Sequence, residues 1–245
     1  MKALTDLHIH SCLSPCGSEE MTPADLVGMS LLNGQNLIAL TDHNTARNCP
    51  AAAQAAAAYG IGFIPGMEVT TSEDIHAVCL FPDLGAALEF DRYLYQHLPG
   101  IPNRPEIFGE QIICDLDGNP CATEPRLLIA GSDISIMDLP NIAAKYGALC
   151  YPAHIDRESN GLLSILGAWP DDLDAAAAEV SLRGDPRHIV VGGISMTLPA
   201  GLKIIRASDA HRLQDLPAQG FAMELESADF SSLAKWLMVN LGEKH

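Results

Sequence analysis

The chain has 245 residues, enough for one large domain or two small ones, and 48% of them are hydrophobic, enough for a substantial core. Its 31 acidic residues against 14 basic ones leave a formal net charge of −17. Such a surface repels phosphate backbones and forfeits the counterion release that dominates polynucleotide affinity, which disfavours long nucleic acid as a partner. No run of eighteen apolar residues is present, so no membrane span is expected, and Met1–Asp6 leads straight into a strand without a signal peptide. The seven cysteines are odd in number and form no Cys-X-X-Cys pair, which predicts reduced thiols in a cytoplasmic protein.

In chain order, short apolar strands alternate with amphipathic or alanine-rich helices. A first strand over 3–8 runs into Asp6-Leu7-His8-Ile9-His10. Thr22 caps a helix with Pro23 in its first turn, and the helix ends near Asn33-Gly34. A second strand over 36–41 delivers Asp42-His43, and an alanine-rich helix over 51–59 stops at Gly60. Residues 61–65 and Val69 flank Gly66-Met67-Glu68, a strand over 74–81 carries His76, and a helix follows over 86–98.

Five prolines and Asp117-Gly118-Asn119 break the rhythm between about 99 and 132. This stretch reads as an insertion, either a lid beside a site or a surface excursion without a role. Alternation resumes with a helix over 137–146 and a strand over 148–153 that delivers His154. A weaker strand covers 177–182, the segment 186–195 is left unassigned, and a strand over 203–207 delivers Ser208-Asp209-Ala210-His211. A strand over 221–225 and a helix over 229–241 close the chain, with 243–245 as a frayed end. Repeated strand–helix units predict a parallel sheet. Polar residues at the ends of many strands favour barrel-like closure, because only a barrel gathers all those ends round one mouth. Neither G-x-G-x-x-G nor G-x-x-x-x-G-K-[ST] occurs, so a nucleotide-binding Rossmann fold is excluded.

The chemistry lies in the histidines. Six of nine sit at strand ends, most beside an acid: His8, His10, His43, His76, His154 and His211. On an extended backbone residues i and i+2 face the same side, so His8 and His10 can reach one ion. Zinc, manganese and iron all accept imidazole nitrogen and carboxylate oxygen. Asp42 and Asp6 are expected to orient neighbouring imidazoles rather than bind metal. Arg157, three residues after His154, is the candidate to grip a substrate phosphate, the alternative being a surface arginine. Ser11, Ser14 and Ser208 lack a G-x-S-x-G elbow, and His97 and His188 read as structural.

Asp6-Leu7-His8-Ile9-His10-Ser11, Thr41-Asp42-His43-Asn44, Glu68, His154 and Ser208-Asp209-Ala210-His211 together resemble the motifs of the PHP (polymerase and histidinol phosphatase) superfamily, in order and over nearly the whole chain. The resemblance implies a single α/β domain over 1–245, a distorted (β/α)7 TIM-like barrel with two or three divalent ions (Mn, Zn or Fe) at the C-terminal ends of the strands. It implies that His8, His10, Glu68 and Asp209 hold one ion, that Glu68 bridges to a second held by His76 and His154, and that His43 and His211 serve a third. Members usually supply a further His or Asp shortly after His-X-His, where this chain has Pro15-Cys16. Full occupancy, a water-completed third site and a two-metal enzyme all remain open there. The implied activity is hydrolysis of a small phosphorylated metabolite or nucleotide through a metal-bridging hydroxide, with Asp42 and Arg157 as catalytic candidates. An exonuclease acting on short oligonucleotides and a non-catalytic metal-binding module are the alternatives.

Overall fold

The computed structural model describes residues 1–238; the end of the expected last helix and residues 243–245 lie outside them. The chain begins with β1 (Lys2–Ile9), whose buried residues run almost without interruption. Helix α1 (Pro23–Leu32) starts as expected, with the Thr22 hydroxyl accepting from the Asp25 amide. Then come β2 (Leu37–Leu40) and α2 (Cys49–Tyr59), which ends at Gly60 in the left-handed conformation (φ 72°) that glycine adopts without steric cost. Strand β3 (Gly62–Thr70) passes unbroken through Gly66. A Cβ there would sit 2.9 Å from the Cys79 carbonyl and from side-chain carbons of Leu80 and Thr41, so only glycine admits this strand crossing. After β4 (His76–Leu80), α3 (Leu84–His97) is capped by Asp83.

The proline-rich stretch holds a single helical turn, α4 (Pro105–Phe108), and a hairpin of β5 (Ile112–Cys114) and β6 (Pro120–Thr123). The remainder comprises α5 (Leu139–Ala144), β7 (Leu149–Pro152), α6 (Leu162–Leu166), β8 (Ala177–Val180), β9 (Val190–Val191), β10 (Ile194–Ser195), β11 (Lys203–Arg206), β12 (Phe221–Glu224) and α7 (Phe230–Met238). The segment left unassigned in the sequence is thus partly a two-residue hairpin, turned by Gly192 and Gly193, both at positive φ.

Six strands form one curled sheet in the order β12-β1-β2-β3-β4-β7, while β8 and β11 pair separately. The expectation of an all-parallel sheet needs correction. β1–β2–β3 and β8–β11 are parallel, but β12–β1, β3–β4 and β4–β7 are antiparallel. The physical reason is connection length. Only residues 71–75 separate β3 from β4, and a parallel crossover needs a dozen or more. Because β4 runs backwards, His76 stands at its start, yet at the same end of the sheet as the C-terminal ends of its neighbours. Single backbone bonds join the two sheets: Ile155 N donates to Glu179 O (2.9 Å), Asp209 N to His8 O (3.0 Å) and His10 N to Ala210 O (2.9 Å).

Side-chain alternation divides the core in two. Leu37, Ala39, Val78 and Leu80 join Tyr151, Ile205, Leu233 and Leu237 in one cluster. Ile38, Leu40, Ala77 and Cys79 face the other way, against Leu26, Ala52 and Phe90 of the covering helices. Helix α7 therefore closes the smaller core, and its start is a capping site. Asp229 accepts from the Ser232 amide (2.8 Å) and the Ser231 hydroxyl (2.9 Å). Asp229→Ala is expected to cost about 1 kcal/mol, a fall in Tm of roughly 2–4 °C. Hydrogen bonds from Ser227, then Ser232, hold the Asp229 carboxyl down at about 2. A group lowered in the fold stabilises it above its unfolded value, about 3.9, and loses that effect as pH falls through 2. Thermal melts between pH 5 and 2 should therefore show the gap between wild type and variant closing.

Candidate metal centre

The strand ends bring the six motif histidines and two carboxylates into one buried cluster. Glu68, near the end of β3, is its hub. Ring nitrogens of His8 (3.3 Å), His10 (3.3 Å), His43 (2.9 Å), His76 (2.9 Å) and His154 (3.0 Å) surround its two oxygens. Asp209 Oδ1 lies 3.3 Å from His8 Nε2 and 3.0 Å from His10 Nε2. His211 is stacked on His10, with ring centroids 4.1 Å apart. Two of these residues, His154 (φ 27°) and Asp209 (φ 53°), occupy the left-handed region, as does Asn44 (φ 54°). Such backbones cost roughly 1–3 kcal/mol each and persist where the surroundings demand a side-chain direction. Here they turn the side chains back across the sheet end.

The donor set fits divalent cations. Three groups hold their ligand atoms within 4.8 Å of one another: His8, His10, Glu68 and Asp209; His43, Glu68 and His76; and His10, His43 and His211. Five buried atoms in this one spot have no hydrogen-bond partner: His43 Nδ1, Glu68 Oε2, His76 Nε2, His154 Nδ1 and Asp209 Oδ1. Orphaned polar atoms normally cost about 1–3 kcal/mol each. His8 Nε2 also lies 3.1 Å from His10 Nε2, so two nitrogens point at one another. Imidazole nitrogens and carboxylate oxygens crowded this closely form a donor set able to hold a cation.

The electrostatics agree. Burial works against ionised Glu68 and Asp209, yet the surrounding imidazoles hold both well below the usual carboxylate range. Burial likewise opposes charge on His10, but Asp209 and Glu68 lift it to about 9. Burial, reinforced by repulsion from His10, drives His43 down to about 4 and His211 to about 3. The two carboxylates thus demand positive charge, and only part of the imidazole set can carry it.

The surrounding residues differ from the sequence reading. Asp42, expected to orient a neighbouring imidazole and named as a catalytic candidate, touches no imidazole directly. Its oxygens accept from the Ser11 amide (2.7 Å), the Ser11 hydroxyl (2.6 Å) and the Ser14 hydroxyl (2.7 Å). Ser14 Oγ in turn accepts from His10 Nδ1 (2.8 Å) and the His43 amide (3.2 Å). Asp42 therefore reaches His10 through one hydroxyl. Asp6 accepts from the Ser208 amide (3.0 Å) and so aims the Asp209 loop, not an imidazole. Arg157 pairs with Asp209 Oδ2 at the rim, its side chain 40% exposed. His97, on Asp133, and His188, on Ser195, lie outside the cluster. Sequence reasoning missed Glu179, fully buried on β8, whose Oε2 lies 2.9 Å from His8 Nδ1. Its one available signal was an acid inside the apolar run Ala177-Ala178-Glu179-Val180.

The insertion is pinned to this region. Ile112 N donates to Cys12 O (2.9 Å), Asn48 holds both Ile112 and Cys114, and Asn44 Nδ2 donates to Leu128 O (2.6 Å) and Ala130 O (3.0 Å). Among the described residues no helix is long and apolar enough to cross a membrane.

A curled α/β sheet with a buried histidine–carboxylate cluster at one end defines a protein whose donor set is able to hold metal ions. The PHP domain model matches residues 6–130, just over half of the sequence, and the chain belongs to the PHP domain family. It is 38% identical over 73 residues to the 3′,5′-nucleoside bisphosphate phosphatase of Chromobacterium violaceum, a stretch covering 30% of this chain and 25% of that protein. In fold it is similar to the lesion-specific endonuclease PfuEndoQ of Pyrococcus furiosus (TM-score 0.65, 19% identity, 96% of this chain and 55% of that one). It is also similar to an amidohydrolase of Chromobacterium violaceum solved with bound sulfate (TM-score 0.55, 20% identity, 96% of both chains). The chain thus spans about half of that endonuclease, and its match covers a quarter of the phosphatase.

Proposed function

We propose that the protein is a metal-dependent phosphoesterase that hydrolyses a small phosphorylated metabolite or nucleotide. The observation that carries this reading is five imidazoles set within 2.9–3.3 Å of one buried glutamate, Glu68. In this reading His8, His10, Glu68 and Asp209 hold one ion, Glu68 with His76 and His154 a second, and His43 with His211 a third, within a closed barrel of strands. Such ions, when bound, supply Lewis acidity toward phosphoryl oxygens and activate a water nucleophile.

The chain's own residues prepare that chemistry. Glu179 keeps the His8 proton on Nδ1, leaving the Nε2 lone pair for a cation. Asp42 does the same for His10 through Ser14. Arg157, half free at the rim, exchanges part of its contact with Asp209 for a substrate phosphate oxygen. Arg157→Ala is then expected to lower kcat/KM about tenfold, mostly through KM, with metal content unchanged, as steady-state kinetics beside metal analysis would register. The insertion over 99–132, anchored through Asn44 and Asn48, walls the site and limits substrate length.

The test is a chelator-stripped protein reloaded with manganese, zinc or iron. It is offered a nucleoside 3′,5′-bisphosphate, a sugar phosphate and a short oligonucleotide. Release of phosphate from the small esters is expected. Preferred trimming of the oligonucleotide would replace this reading with an exonuclease, and retained metal without any hydrolysis would replace it with a binding module.

A further inference from the structure

After His10 the chain makes two tight turns, with Ser14 N on Ser11 O (3.1 Å) and Gly17 N on Ser14 O (2.9 Å). Gly17 is obligatory, because a Cβ would lie 2.2 Å from the Ser11 carbonyl oxygen. These turns carry Cys16 back over the cluster, where its Sγ lies 3.4 Å from His43 Nε2. Two ligands on one tetrahedral zinc, with bonds of about 2.3 Å to sulfur and 2.05 Å to nitrogen, stand about 3.5 Å apart. His43 is thus suspended between Glu68 on its Nδ1 side and a thiol on its Nε2 side.

Donors beside it are few. His211 gives its Nδ1 proton to the Asp209 carbonyl (2.8 Å), leaving Nε2 for a cation. His10 has Nδ1 engaged by Ser14, and its Nε2 lies 3.0 Å from Asp209 and 3.1 Å from His8, within the neighbouring group. With His10 engaged in the neighbouring group, His43 and His211 are the two imidazoles left to this cation, and the Cys16 thiol stands beside His43. His43 and His211 belong to one group with His10, their ligand atoms within 4.8 Å of one another. We propose that Cys16 is a sulfur ligand of the cation held by His43 and His211. On binding, the S–H bond breaks, the proton leaves to solvent and the sulfur lone pair forms the metal–sulfur bond. A sulfur donor biases this position toward zinc or iron over manganese, in contrast to the oxygen-rich position on Glu68 and Asp209.

The inference rests on reading the cluster as a metal centre, but its test does not require turnover. Cobalt(II) is titrated into the stripped protein while the near-ultraviolet sulfur-to-cobalt charge-transfer band is followed. Wild type is expected to develop the band, Cys16→Ser to lack it and bind about one ion fewer, and Cys16→Asp to regain the ion without the band. Cys16 is exposed, so these variants should fold, which circular dichroism checks directly. A cobalt-saturated wild type without the band, or a band that survives in Cys16→Ser, overturns the assignment. Failure of every phosphate ester to react would overturn the functional reading and leave this result standing.

Discussion

Glu68→Gln is expected to strip the cluster of at least one cation per chain and to lower phosphoesterase turnover by about 10³-fold or more. The substitution keeps the size and shape of the side chain and removes only its charge. Five imidazole nitrogens within 2.9–3.3 Å then lose the anion that balances any cation they hold. A neutral amide oxygen is a weaker ligand, and its NH2 group points a donor where a lone pair is needed. Several kcal/mol of charge stabilisation depend on the ions, and each 1.36 kcal/mol is tenfold in rate. Metal analysis beside steady-state kinetics reads the result, with circular dichroism as the check on folding. His154→Ala and Asp209→Ala should lose metal and activity together in the same way. A Glu68→Gln protein with full metal content and near-normal turnover would remove Glu68 from the centre of the mechanism.

Glu179→Gln is expected to weaken metal binding 10- to 100-fold while leaving the first set of donors intact. Glu179 and His8 are both fully buried, and no water competes for the 2.9 Å contact between them. An ionised carboxylate accepts only, so the His8 proton stays on Nδ1. Glutamine can accept or donate, which lets His8 adopt the tautomer that turns a proton toward the cations. The loss should therefore appear in the metal dissociation constant and be recovered in part at high metal concentration. That pattern separates a positioning residue from a ligand, whose loss excess metal does not repair. An unchanged dissociation constant would return Glu179 to a merely structural acid.

The parts of this protein legible in its sequence are those encoded by near neighbours. Thr22 and Pro23 at the start of α1 and Gly60 at the end of α2 act within one helical turn, and all stand where local chemistry puts them. His8 and His10 share a side because two residues of strand restore the same direction, and the alternation of acids, histidines and apolar runs located the cluster. What local pattern could not carry was strand direction. His76 reads as one more strand end, but it enters the site from the start of a reversed strand, a consequence of a five-residue connection.

The sequence by itself determined most of the longer elements and their punctuation, since these depend on residues one to four apart, and it pointed to the candidate metal-type donors. Only the tertiary structure decided who supports whom: Glu179 on His8 across 171 positions, Ser14 between Asp42 and His10, and Cys16 against His43. Those pairings depend on register, strand direction and the tight turns of the loop after His10. Burial then gives them their force, because in a water-poor cluster a carboxylate or imidazole must find its counter-charge nearby, wherever along the chain that partner lies.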